Sequence, residues 1–482
     1  MALLPVFSKV CEKVVFTQVV EYLEGNNLIH PNLHGSRAGH NTSTALLQLY
    51  DKWVEEVEEG KMVGVLLCDQ SAAFDLCDHG ILIEKLKLLG LEEQATTWVK
   101  SYLSGRKQSC FIDGELSTPL NLLDCGVPQG SIGGPLLWLC FTCDQPDVIH
   151  NHEVDGEELQ RGCGIHQLRG SQGGVEQVDE EVLGNQVAEQ AQEGCGELVG
   201  YVDDGAYSYA NRDPVVLSEV LNEKYKLLER WMNNNKLVIN PDKTHLMVMA
   251  GRGLAPQRER VSMMAGVYNI KPTETETLLG GHIHQSLHWN QHIRDHEGSL
   301  IRQLTYRING LKRIARNSTF QTKLMIANGA VMSKLVYLIT VWGGATQYLL
   351  KAVQTQQLIA ARAVCGFQSS RWSKKQLLGK VDWLSVRQLV YYHTVLQAHK
   401  TMTTGQPRPL HASLPTDHPY MTRNAAAGNI RYGENMTSTK TFKYRAMAWY
   451  NPIPTEVKTG TIQTVKRKLK AWVKKSVPID WG

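Results

Sequence analysis

The chain has 482 residues, 42% of them hydrophobic and 20% charged, with a formal net charge of +4 at pH 7. That length allows about three domains, and that balance excludes a disordered or fibrous chain. The longest apolar stretch, Ala330 to Gly343, is short of a bilayer span and holds Lys334, so no membrane segment is expected. The first residues, interrupted by Pro5, Ser8 and Lys9, make no signal peptide, and an intracellular protein with reduced thiols is expected.

In chain order, Val6 to Leu23 has apolar residues at helical spacing, and Ser43 to Glu59 resumes the pattern after a loop rich in Gly, His and Asn. Met62 to Cys68 reads as a buried strand, with Asp69 where that strand leaves the core. A carboxylate in such apolar surroundings is costly unless a cation or hydrogen bonds compensate. Ile81 to Leu89 and Glu92 to Leu103 read as helices, and Ser109 to Leu120 as a hairpin turning at Asp113-Gly114, with Arg106 and Lys107 just before it. Pro128-Gln129-Gly130 is a turn opening a helix over Pro135 to Phe141, with Gly126, Gly133 and Gly134 around it. Cys140-x-x-Cys143 has no second pair at zinc-knuckle spacing, so buried thiols on a helix are expected.

From Asn151 to Glu197 there are eleven Asp or Glu against two Arg, and no Phe, Trp or Tyr. This stretch reads as a disordered or loosely helical insertion. It carries −9 of a total of +4, which leaves the rest of the chain at +13, a balance suited to a phosphate-backbone ligand. Leu198 to Val202 and Ala206 to Tyr209 then read as strands joined by a turn at Asp203-Asp204, with Gly205 supplying the positive φ of a tight hairpin. Strand side chains alternate between faces, so neighbouring aspartates converge on one ion only where the backbone turns. With Asp69 they suit a pair of Mg²⁺ ions roughly 3.5 to 4 Å apart, which activate a hydroxyl and stabilise a leaving phosphate. The chemistry suggested is nucleotidyl transfer.

Further on, His288, His292 and His296 fall on one face if a helix runs there, a spacing open to a metal site or to plain packing. Thr305 to Ile314, Phe320 to Val341 and Ala345 to Gly366 read as successive amphipathic helices, and Trp383 to Gly482 holds more. The basic run Lys466 to Lys475, with Trp472 inside it, fits either an RNA contact or a solvated helix.

Several of these segments stand in one order. Cys68-Asp69-Gln70-Ser71-Ala72-Ala73-Phe74-Asp75, Gly126-Val127-Pro128-Gln129-Gly130-Ser131, Tyr201-Val202-Asp203-Asp204, and Asn235-Lys236-Leu237 with Asn240-Pro241-Asp242-Lys243-Thr244 resemble motifs A, B, C and D of reverse transcriptases. The flavour is that of non-LTR (LINE-type, jockey-like) retrotransposons. Pro5 to Lys13, His34-Gly35-Ser36-Arg37, Leu278-Leu279-Gly280, Trp289 to Ile293 and Val341 to Gly344 resemble further segments of that family.

The resemblance implies an α+β right-hand polymerase: an antiparallel palm sheet, helical fingers and thumb, and a helical C-terminal domain. Residues 1–60 would be partial fingers, 61–270 the palm with motifs A to D and the 151–197 insertion, 271–366 a grip strand and thumb, and 367–482 a basic C-terminal region. The chain would begin inside the catalytic region, without upstream finger elements or an endonuclease. Asp69 and Asp203 would hold two Mg²⁺ ions, or Mn²⁺ in their place, with Asp204 assisting. Phe74 would close the sugar pocket against a 2′-hydroxyl, Gln129 and Gly130 would lie against the nucleotide, and Arg37 and Lys9 near phosphates. Lys243 would act on the departing pyrophosphate, with Lys236 as the second candidate. Gly133 stands where the family has an apolar residue, which implies a looser loop. The expected partners are an RNA template, a DNA primer and dNTPs. Two other readings stay open: an inactive retroelement remnant that binds RNA, and a non-enzymatic interaction protein.

Overall fold

The structure, a computed structural model, describes residues 5–69, 73–121, 125–150, 196–315, 317–416, 429–430 and 438–480. The expected insertion lies outside the described residues but for Gly196 and Glu197. The chain forms two units, one of residues 1–38 and 60–273, the other of 39–59 and 274–482.

The first unit is built on a five-stranded sheet. Its strands are β1 (Met62–Asp69), β2 (Glu197–Tyr201), β3 (Asp204–Asn211), β4 (Thr244–Ala250) and β5 (Pro272–Thr273), in the order β5-β4-β1-β3-β2. All neighbours are antiparallel except β4 and β5. Central β1 is covered on both faces, and so its sequence is a continuous apolar run in which Met62, Val65 and Leu66 are buried. The Pro214–Asn234 helix packs on the sheet through Leu217, Leu221, Tyr225 and Leu228, which recur at the spacing of one helical face. It starts where it does because Asp213 Oδ1 accepts from Val215 N at 2.8 Å and Pro214 occupies the first helical position.

The expected hairpin is present. Phe111–Ile112 pairs with Glu115–Leu116 around Asp113 and Gly114, both at positive φ. Helices run over Val6–Gly25, His79–Leu88, Glu93–Leu103 and Gly133–Phe141, the last starting two residues before the expected Pro135. Cys140 and Cys143 are buried thiols at its end.

The second unit contains a helix expected with the first. Thr42–Glu58 is capped by a reciprocal Asn41–Thr44 pair and buries Leu46, Leu47, Tyr50, Trp53 and Val54. Its partners come from far along the chain: Tyr50 donates to Leu287 O at 3.0 Å, and the Asp51 carboxylate accepts from Phe442 N and Lys443 N at 2.7 and 2.9 Å. The breaks between the two units fall at 38/39, 59/60 and 273/274. A hairpin of Thr275–Leu278 and Gly281–His284 leads into helices Leu300–Ala315, Gln347–Cys365, Val386–Thr404, Phe442–Tyr450 and Ile462–Ser476.

The run expected as one helix over Phe320 to Val341 is divided. It forms Phe320–Ile326, a wider π turn Ala327–Met332, Ser333–Val336 and Ile339–Trp342, with Leu338 at φ +55° where the last two meet. The three histidines do not share a helix: only a π turn, Gln291–Asp295, forms there, and His292 is buried beside His282. No helix among the described residues is long and apolar enough to cross a membrane.

Candidate active site

β1 and β3 run in register to their ends, so that Asp69 is the cross-strand partner of Asp204, and Tyr201 on β2 pairs with Asp204 on its other side. Only Val202 and Asp203 lie between the paired ends of β2 and β3. In-register partners in an antiparallel sheet sit about 5 Å apart at Cα. The sheet thus brings the backbones of Asp69, Asp203 and Asp204 to one end. The side chain of Asp69 lies outside the described residues; those of Asp203 and Asp204 are exposed.

The turn differs from the expected one. Gly205 lies in the strand, paired with Cys68 and Gly200, and it is Val202 that has positive φ, +62°. A β-branched residue in that region is strained by about 1–3 kcal/mol. Surrounding structure holds it there. The Trp138 indole Nε1 donates to Val202 O at 2.8 Å. On the other side Gly35 packs so closely that a Cβ added to it would lie 2.9 Å from Val202 Cγ2 and 3.0 Å from Val202 N. The segment containing Gly35 is itself tied to β2: His34 N donates to Gly200 O at 2.8 Å and Gly200 N to Asn32 O at 3.0 Å.

Arg37 is buried beneath that segment. Its Nε and Nη2 bond Glu24 at 2.7 and 2.9 Å, and Nη1 donates to His30 O and Leu33 O. The guanidinium is therefore spent inside the protein, and what it does in this structure is clamp the loop that braces the aspartate turn.

Phe74 stacks on Trp138, ring centroids 5.8 Å apart, so one indole touches both the aromatic after β1 and the strained turn. Its backbone is locked as well: Val127 N donates to Phe74 O at 2.7 Å and Gly126 N to Cys77 O at 2.8 Å. In the loop that follows, Gln129 Nε2 donates to Asp75 Oδ1 at 3.2 Å, and Gly130 is at φ +91°. Gly133 does not loosen this loop. A Cβ on it would lie 2.0 Å from Phe16 Cε2, so the Phe16 ring fills the space an apolar side chain would take. Phe16 is itself held edge-on to Trp98 and Tyr102, each 5.8 Å away. Buried Glu12, one turn earlier on the same helix, accepts from Ile132 N at 2.7 Å and Gly133 N at 3.4 Å, a carboxylate set against the start of the Gly133–Phe141 helix.

Lys243 is exposed in the single 3-10 turn Pro241–Lys243, just before Thr244, which pairs with Cys68. The register therefore sets Lys243 at the same end of the sheet as the aspartates. Lys236, the second candidate, is committed to Asp78 at 2.6 Å. Burial tends to raise Asp78, but hydrogen bonds from Lys236 and Ile81 N hold its carboxyl below the usual range.

Sequence reasoning missed Trp138, Glu12 and Phe16. A signal existed for Glu12, an acid amid the apolar positions Val10, Val14, Val15 and Phe16. The carboxylates of Asp203 and Asp204 at the turn are hard oxygen donors of the kind Mg²⁺ takes, so they fit a divalent ion, and the register brings the backbone of Asp69 to the same end. Among the described residues no three His, Cys, Asp or Glu side chains gather for a metal anywhere.

The family model described as reverse transcriptase (RNA-dependent DNA polymerase) matches residues 1–283. The RNA-directed DNA polymerase from mobile element jockey of Drosophila funebris is 25% identical over 365 residues, 76% of this chain and 35% of that protein. The probable RNA-directed DNA polymerase from transposon X-element of Drosophila melanogaster is 34% identical over 149 residues, 30% of this chain and 16% of that one. The chain thus spans about a third or less of the length of these relatives. Telomerase from Candida albicans, solved with a fragment of telomeric RNA, aligns over 80% of this chain and 56% of its own with a TM-score of 0.31 and 10% identity, too distant to inform the fold. With the match over more than half its length, and relatives among jockey and other non-LTR mobile elements, the chain belongs to the reverse transcriptase family.

Proposed function

We propose that this chain is an RNA-directed DNA polymerase of retrotransposon origin, which adds dNTPs to a DNA 3′-hydroxyl along an RNA template and releases pyrophosphate. The observation that carries the reading is the register of β1 against β3, with Asp69 opposite Asp204 and Asp203 in a two-residue turn. In this reading the five-stranded sheet is the palm, residues 1–38 contribute to the fingers, and residues 274–366 form the grip strand and thumb ahead of a basic C-terminal region.

Two divalent ions held by Asp69 and Asp203 would lower the pKa of the attacking hydroxyl and offset charge on the leaving phosphate. The chain's own residues do the rest. Asp204 adds negative charge beside Asp203 and helps retain cations at the turn. The Trp138–Val202 bond and Gly35 keep that turn from relaxing, so its carboxylates are preorganised rather than gathered by substrate. Phe74, backed by Trp138, walls the sugar pocket and leaves no room for a 2′-hydroxyl. Gln129, tethered to Asp75, and Gly130 line the nucleotide's base side, and Lys243 supplies a proton or positive charge to the departing pyrophosphate.

The test is incorporation of dTTP on poly(rA) primed with oligo(dT) in the presence of Mg²⁺. Wild type should extend, Asp203→Ala should not, and UTP should be refused. Failure of well-folded wild type to extend with either Mg²⁺ or Mn²⁺ would overturn the reading.

A further inference from the structure

The second unit holds a cleft of about 550 Å³, well away in sequence from the aspartate motifs. Its volume falls in the range of about 300–1,000 Å³ typical of ligand pockets. Three aromatic rings from three helices make one stack along it. Trp449 lies on Tyr391 at 5.1 Å and 19°, and Tyr391 faces Trp472 at 5.9 Å and 33°. The Tyr391 hydroxyl donates to Trp449 O at 2.8 Å and fixes the first pair. All three residues remain half-buried, so the stack is not sealed in the core.

Arg387 and Arg445 also line the cleft, and the lining has no Asp or Glu among the described residues. Arg445 is the telling residue. It is 4% exposed; Nε donates to Thr441 O at 3.2 Å and Nη2 to Thr340 O at 2.7 Å, but buried Nη1 has no partner among the described residues. The neighbouring acid, Asp51, offsets part of its charge through space but accepts from Phe442 N and Lys443 N rather than from Nη1. A charged donor buried without an acceptor is costly, and such groups in folded proteins have an explanation. An anion seated in the cleft beside this guanidinium would offset that cost. The helix that carries Trp472 adds Lys466, Arg467 and Lys475, none with an ion pair among the described residues, whereas Lys470 and Lys474 are taken by Asp382.

We propose that this cleft binds single-stranded nucleic acid, with one base extending the Trp449–Tyr391–Trp472 stack and an adjacent phosphate drawn to the Arg387 and Arg445 guanidiniums that line it. Nucleic acid meets both requirements at once, a flat π face and an anion within one nucleotide, whereas an acidic peptide meets only the second. Stacking of this kind tolerates any base, so binding is weakly dependent on sequence and steeply dependent on salt. The site needs no catalysis and stands apart from the polymerase reading.

The experiment uses the full chain and fluorescein-labelled 12-mers of oligo(rU) and oligo(dT), each carrying one photoreactive 4-thio base, with anisotropy for affinity and peptide mapping for the crosslink. Crosslinks should fall in peptides containing Trp449 or Trp472. Trp472→Ala should weaken binding roughly five- to hundredfold, the worth of one base–aromatic stack, while Trp472→Phe stays within about threefold. Ser476→Glu places a carboxylate on an exposed rim position of the cleft and should weaken binding without touching the core. Tighter binding of oligo(rU) than oligo(dT) would assign the site to RNA, and the reverse to DNA, both in support. Three outcomes would overturn the proposal: unchanged affinity in both Trp472→Ala and Ser476→Glu, crosslinks confined to other peptides, or displacement of the oligomer by poly-glutamate as readily as by unlabelled oligomer. Primer extension run in parallel separates the two readings: an extending enzyme with no crosslink in the cleft sinks this one alone, and a crosslinked protein that cannot extend sinks the other alone.

Discussion

Glu12 gives the sharpest test of how the nucleotide loop is held. It is 1% exposed, and its Oε2 accepts from Ile132 N at 2.7 Å, a full charge-assisted hydrogen bond, and from Gly133 N at 3.4 Å, a weak one. Hydrogen bonds to a charged group are worth about 1.5–3 kcal/mol each, and a carboxylate against a helix N-terminus about 0.3–2 kcal/mol. Burying the carboxylate costs part of that back. The expected loss for Glu12→Ala is therefore about 2–3 kcal/mol, with Ile132 N left unsatisfied. Glu12→Gln keeps an acceptor oxygen in place and should lose only the charge, about 1 kcal/mol. Urea unfolding followed by tryptophan fluorescence measures both. At permissive temperature, Glu12→Ala should also raise the KM for dTTP more than it lowers kcat, because the loop at Pro128 to Gly130 loses the anchor of the helix that follows it. A loss below about 0.5 kcal/mol in Glu12→Ala, or equal losses in the two variants, would refute the idea that this carboxylate acts by accepting hydrogen bonds from the helix start.

Other expectations follow from the same geometry. Trp138→Phe removes the bond to Val202 O and opens a small cavity beside Phe74, and should cost about 1–3 kcal/mol of stability while cutting extension at least tenfold; unchanged extension would mean the turn needs no brace. Phe74→Ala should admit UTP, with the dTTP preference falling at least tenfold in competition assays. Burial holds the His292 imidazole down at about 3, and His282 adds to the effect. Its folded form binds fewer protons than the unfolded chain between pH 6.5 and 3, so the stability it contributes is present above pH 6.5 and lost as pH falls, with an upper bound of about 5 kcal/mol. Asp51, pushed up to about 6 by burial, acts in the opposite sense and loses its share as pH rises from 4 to 6. The comparison to make is therefore wild type against His292→Asn, in which the acid-side loss should shrink; identical profiles would refute the assignment.

The parts of the fold written in local pattern were legible in the sequence. The uninterrupted apolar run of β1 and the Asp113-Gly114 hairpin each depend on residues within a few positions of one another. The parts that depend on distant partners were not. Gly205 was the natural candidate for positive φ on propensity, yet Val202 takes it because Trp138 and Gly35, far off in the chain, over-determine its backbone. Gly133 looked like a gap because nothing near it in sequence reveals that Phe16 fills the space. Arg37 looked available to a phosphate because its pairing with Glu24 crosses a loop with no periodicity. The residues immediately flanking Leu338, Leu335 to Tyr337 and Ile339, are apolar or aromatic, so no change of pattern announced the break there.

The Thr42–Glu58 helix has a consequence in time. It leaves the ribosome long before its last partners, because the backbone groups that its Asp51 holds belong to Phe442 and Lys443, 391 and 392 residues later. At about 5–20 residues per second, a ribosome needs roughly 20–80 s to deliver them. Until that interval ends a helix presenting Leu46, Leu47, Tyr50, Trp53 and Val54 lacks the last of its partners, and any fragment ending near Thr273 would leave it without Leu287 and Phe442 for good. Chaperone occupancy of the nascent chain should therefore persist until the Phe442–Tyr450 helix has left the exit tunnel.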